Sequence, residues 1–138
     1  MLSWFRRPKA DLSLEIGDGP YWAGDKVDAR VTLFPQESFH VREAWIELVC
    51  IETYYTSSSE GPPAKHRRVL SQSVAPFLSN TRVIEGLPHG SRVSLSISPE
   101  ALPTVKGDIA EISWRVRAAV DVAGARDMHR SRDIIVLS

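Results

Sequence analysis

The chain has 138 residues, of which 43% are hydrophobic and 25% charged, the composition of a globular protein large enough for one domain with its own core. Lys plus Arg and Asp plus Glu each number 17, so the formal net charge is zero, which speaks against a dedicated nucleic-acid binder. A lone cysteine, Cys50, excludes an intrachain disulfide and a thiolate metal cluster and favours a reducing compartment.

Residues 1–10 read as a flexible or docking lead-in, and residues 11–138 as one folded domain. Trp4, Phe5, Arg6, Arg7 and Lys9 combine aromatic and cationic side chains, the composition of an interfacial anchor. So short a segment holds a membrane weakly, and fraying or docking on a partner is the simpler expectation. No stretch has the features of a signal peptide or a transmembrane segment, so a cytoplasmic protein is expected.

Period-two alternation then recurs along the chain, and no helical segment of useful length is expected. Leu12, Leu14 and Ile16 alternate with polar neighbours before Gly17-Asp18-Gly19-Pro20 breaks the run. Val27, Ala29, Val31 and Leu33 share one face of a second strand, which Pro35 stops. Val41 to Tyr55 makes a longer run with apolar residues on both faces, as in an interior strand or one whose second face is partly covered. A loop is expected over residues 56–64, and a weaker strand from Arg67 to Ala75, stopped by Pro76. Short strands are expected at Thr81–Glu85 and Arg92–Ile97. Ile112, Trp114, Val116, Ala118, Val120 and Val122 form the strongest stripe, and Asp133 to Leu137 closes the chain. The pattern predicts an all-β, immunoglobulin-like antiparallel sandwich of about seven or eight strands.

Several of these segments resemble the arrestin fold family. Tyr21-Trp22-Ala23-Gly24-Asp25-Lys26-Val27 resembles that family's aromatic–x–x–Gly–acid–x–Val element before the second strand. Val41 to Leu48 resembles its third strand. Leu102-Pro103-Thr104, then Gly107 and Ile112 to Ala118, is similar to its Leu-Pro segment leading into a tyrosine-containing strand, with Trp114 in place of the tyrosine. The resemblance covers about Leu12 to Leu137 and looks closer to microbial, sporulation-control-type relatives than to two-domain eukaryotic arrestins. It implies a scaffold or adaptor without a cofactor. Since the second arrestin domain is absent from the sequence, it also implies a homodimer that covers the surface a sister domain would cover.

Chemistry is sparse by comparison. His40, His66, His89 and His129 lie far apart, without the close spacing of a local metal motif. Ser57-Ser58-Ser59 lacks the flanking glycines of a nucleophile elbow. Cys50 shares a face with Ile46 and Leu48 and reads as core. Neither a catalytic site nor a metal site is expected. Glu43 and Glu47 read as a solvated or cross-strand-paired face, and Trp22 as packing the first turn. Candidate partner contacts are Trp4, Phe5, Arg6, Arg7, Trp45, Tyr54, Tyr55, Arg115 and Arg117, with the two last suited to an acidic protein. The expectation is a non-catalytic protein-interaction module, homo-oligomeric and independent of nucleic acid. A carbohydrate-binding sandwich that uses Trp45, Tyr54 and Tyr55 is the alternative.

Overall fold

The computed structural model describes residues 6–59 and 61–138, and every regular element among them is a β-strand. In chain order these are β1 (Ala10–Ile16), β2 (Tyr21–Trp22), β3 (Lys26–Pro35), β4 (Phe39–Ser58), β5 (Gly61–Val83), β6 (His89–Ser96), β7 (Ala110–Val122), β8 (Met128–Ile134) and β9 (Val136–Leu137). A three-stranded sheet runs β1-β3-β6 and a four-stranded sheet β5-β4-β7-β8, all pairs antiparallel. The short β2 and β9 pair in parallel at one end.

Alternation decides what lies between the sheets. On β3, Val27, Ala29, Val31 and Leu33 are buried while Lys26, Asp28 and Arg30 are exposed. Ala44, Ile46, Leu48 and Cys50 of β4 face the same layer, each directly opposite Val120, Ala118, Val116 or Trp114 of β7. Each fully buried Val, Leu or Ile contributes about 1.5–3 kcal/mol relative to exposure, so this layer dominates the fold. Trp114 places its ring in the core and donates from Nε1 to the carbonyl of Leu102 at 2.9 Å. That bond satisfies its buried polar handle and fastens the Leu-Pro segment to β7.

The turn after β2 depends on Gly24, whose φ of 89° has the sign a type II turn requires at its third residue. Asp25 donates its amide to Trp22 O at 3.0 Å, and its carboxylate accepts the Trp22 amide at 2.7 Å. These bonds close the turn and launch β3.

Four expectations are corrected. Pro76 does not stop its strand, and Thr81–Val83 belongs to the same element, because β5 is an edge strand where a missing N–H can face solvent. The expected 56–64 loop is mostly ladder, since β4–β5 pairing continues to Ser58 and Gly61. The closing strand divides: β8 begins at Met128, and after Ile134 the chain moves to pair β9 with β2. Its run His129-Arg130-Ser131-Arg132-Asp133 hides a strand because an edge position buries only the terminal Met128 and Ile134. Trp22 does not pack the first turn; it is 53% exposed, and its neighbour Tyr21 is buried instead, donating its hydroxyl to Gly17 O. A two-residue strand can send only one of two successive side chains inward.

Trp114→Phe should cost about 1–2 kcal/mol through the lost bond to Leu102, and Trp114→Ala about 3–5 kcal/mol, as measured by urea unfolding. A Trp114→Phe variant as stable as the wild type would mean that the indole N–H contributes nothing.

Candidate functional site

The outer face of the four-stranded sheet follows from the position of β4. It is a central strand, so its outward residues Trp45, Glu47, Val49 and Ile51 have neighbours on both sides. Register sets Glu47 between Val74 and Arg117, Val49 between Gln72 and Arg115, and Ile51 between Val69 and Ser113. Val49 and Ile51 are only 8% and 7% exposed, although they point away from the sandwich core. Together they floor a trough of about 330 Å³, walled by Arg67, Val69 and Gln72 from β5 and by Arg115 and Arg117 from β7.

Glu47 makes the trough unusual. Its residue is 7% exposed, so the carboxylate must be compensated. Gln72 Nε2 donates to one oxygen at 2.6 Å and Arg117 Nη1 to the other at 3.2 Å. Arg115 instead meets Asp133 at 3.1 Å, where the carboxylate side chain is 78% exposed. Arg67 has no ion-pair partner within 4 Å among the described residues. Glu43 and Glu47 were expected to form a solvated or cross-strand-paired face. Glu43 is exposed, whereas Glu47 is buried and paired across strands.

The other sequence-derived candidates scatter. Trp4 and Phe5 lie outside the described residues. Arg6 pairs with Glu37 at 3.0 Å, and Arg7 is exposed beside it. Trp45 is half-buried on the trough face, opposite Pro76 and Ala119. Tyr55 is exposed on that face but lies ten residues along the same strand, so about 33 Å separates the two. Tyr54 points to the opposite face and stacks on His66 with ring centroids 5.0 Å apart, while His66 Nε2 meets Thr56 Oγ1 at 2.9 Å. Trp45, Tyr54 and Tyr55 therefore do not form one aromatic platform. Arg115 and Arg117 do converge on the trough. Sequence reasoning missed Val49, Ile51, Arg67 and Gln72; the two-sided apolar character of Val41–Tyr55 was the available signal.

A larger concavity of about 570 Å³ lies on the three-stranded sheet. It mixes Glu15 and Asp28 with Arg30 and Arg92, so it presents no single sign of charge. Among the described residues no group of three or more His, Cys, Asp or Glu is placed to hold a metal. Burial, reinforced by the nearby Glu52 carboxylate, pushes the Cys50 thiol up to about 11. Such a thiol stays protonated at neutral pH and is a poor nucleophile. Burial chiefly, then Asp28 and Asp18, also raises Tyr21 above the ordinary tyrosine value. Among the described residues no helix is long and apolar enough to cross a membrane.

No protein-family model and no curated protein matches this sequence. Among solved structures, the chain is similar to Spo0M, a sporulation control protein from Bacillus subtilis, with a TM-score of 0.72 at 15% identity. The match covers 94% of this chain and 49% of the Spo0M chain. The chain has an arrestin-like fold. It spans about half the length of the protein it matches.

Two outcomes follow from the site. Arg117→Ala leaves the Glu47 charge with Gln72 alone and should cost about 1–3 kcal/mol, against less than about 1 kcal/mol for Arg115→Ala, whose partner stays in water. Urea unfolding of the two variants gives the comparison. For Cys50, a raised folded pKa means the native state holds its proton more tightly. Stability from this group is therefore complete below the ordinary thiol value of 9.0 and falls as pH rises through about 11. Thermal melts of the wild type should decline over that window more steeply than those of Cys50→Ala.

Proposed function

We propose that this chain is a non-catalytic interaction module, an adaptor or scaffold, that docks an acidic protein segment in the trough of the four-stranded sheet. One observation carries the reading: Arg67, Arg115 and Arg117 surround the apolar floor of Val49 and Ile51. Arg117 is paired with Glu47 and Arg115 with the exposed Asp133, which leaves the charge of Arg67 in excess at the trough.

An apolar side chain of the partner would fill the space above Val49, Ile51 and Val69. Flanking carboxylates would meet Arg67 and Arg115, whose planar forks suit two-pronged hydrogen bonding. Arg117 is committed to Glu47 and serves mainly to hold the floor together. An apolar anchor ringed by such charges is the usual arrangement of an interaction hot spot. The face is built on a ladder, so docking needs little ordering of the module itself.

The arrestin-like fold and the description of Spo0M as a control protein agree with a regulatory role. A cytoplasmic location and a domain spanning residues 11–138 belong to the same reading. Residues 1–10 would add a second contact beside the turn before β4, where Arg6 bonds to Glu37.

Affinity capture from the native cell, run in parallel with variants, tests the proposal. Partners held by the wild type and by Arg30→Glu, on the other sheet, should be held at least about tenfold more weakly by Arg67→Glu/Arg115→Glu, a difference of about 1.4 kcal/mol. An identical set of captured proteins in all three samples would remove the trough from the function.

A further inference from the structure

The free edge of β5 is guarded at both ends and open in the middle. Pro62, Pro63, Lys65, Arg67 and Arg68 occupy its start, and proline and charge are the usual means of blocking strand addition. Irregularities in the pairing leave Leu70 and Phe77 without partners on β4, and Pro76 lies beside the second. Between them, Ser71 to Ala75 pairs without interruption with Cys50 to Ile46 and contains no charge, proline or bulge. Among the described residues no backbone hydrogen bond outside the ladders involves this window.

The direction of its unused groups can be derived. Tyr55 donates its amide to Ile109, on the β7 side of β4. Backbone N–H and C=O of alternate residues point the same way, so Ile51, Val49, Glu47 and Trp45 also address β7 along an unbroken register. Their opposite numbers on β5, Gln72, Val74 and Pro76, therefore turn their backbone groups away from β4. Proline at the third of these positions fits, because no donor is needed there. Gln72 and Val74 thus offer paired donors and acceptors to solvent.

We propose that a second copy of this chain adds to this window, antiparallel and two-fold symmetric about Ser73. The window is complementary to itself in that register. Gln72 of each copy exchanges both main-chain bonds with Val74 of the other, while the two Ser73 residues form the intervening non-hydrogen-bonded pair. The basic stretches at Lys65–Arg68 fall on opposite sides of the axis, and the formal net charge of zero opposes no approach. The two four-stranded sheets join into one of eight strands. A two-fold axis normal to the sheet keeps both troughs on the same face, so a dimer would present two docking sites side by side. The inference rests on the backbone geometry of β5 and stands apart from the trough reading.

Sedimentation equilibrium over a concentration series tests it, with an expected dissociation constant on the order of 10 μM for so small an interface. Val74→Pro removes an amide that β4 does not use, so it should leave the near-ultraviolet circular dichroism unchanged and weaken the dimer at least about tenfold. Independently, Ser73→Cys in a Cys50→Ala background places two thiols at the axis, with Cα atoms about 4.5 Å apart, within disulfide reach. Mild oxidation should give a covalent dimer on non-reducing gels, whereas Ser79→Cys in the same background should not. A wild type that sediments as a monomer throughout, or a dimer that forms without crosslinking at Ser73, would overturn the proposal. Either result leaves the capture experiment on the trough to be judged by itself.

Discussion

The β4–β7 ladder is the constraint on which the rest of the molecule depends. Its inward pairs, Ala44 with Val120, Ile46 with Ala118, Leu48 with Val116 and Cys50 with Trp114, supply one wall of the core. Its outward pairs, Glu47 with Arg117 and Val49 with Arg115, supply the trough. Because the side-chain period is two, a slip of one residue would turn both sets over together. Core and candidate site are therefore fixed by the same register. The trough can be no looser than the fold.

That coupling explains why a charge sits buried on an outer face. Glu47 stands at the middle of a central strand, where long neighbours on β5 and β7 cover it as surely as a second sheet would. An unpaired carboxylate at such a position is costly, and Gln72 and Arg117 offset that cost with a bond to each oxygen. Once Arg117 is held in this way, Arg67 and Arg115 remain at the rim with outlets to solvent or to a weakly held Asp133. The two ion pairs thus differ in how much water reaches their carboxylates, whose side chains are 9% exposed at Glu47 and 78% at Asp133.

The sandwich was legible in the chain because interior strands must alternate to bury one face. Leu12 to Ile16, Val27 to Leu33 and Ile112 to Val122 all read as strands and are strands. Segments with little to bury did not declare themselves. The polar run from His129 to Asp133 is a strand because β7 offers a ladder, not because its side chains ask for one. Pro76 looked like a terminator because sequence cannot show that its nitrogen faces an open edge. Of the candidate site, Arg115 and Arg117 were visible as outward charges on a strong strand. Arg67 and Gln72 reach the trough only through β4–β5 register, which joins residues far apart in the chain.

The two sides of the sandwich treat their edges differently. On one side, Arg130 of β8 points inward across the gap and donates from Nε to Leu12 O of β1 at 2.9 Å. A guanidinium drawn into the seam ties the two sheets together and makes strand addition there require the loss of a hydrogen bond. On the other side, the inward residues of β5, including Leu70, Ala75, Phe77 and Leu78, pack on the core and close the gap with apolar contact. Apolar closure leaves the outward backbone groups of Gln72 and Val74 uncommitted. A net charge of zero gives no long-range field to keep molecules apart, so exclusion at this edge falls to local features alone. Those features stop on either side of Gln72 and Val74, where the chain's own backbone supplies the most closely matched strand.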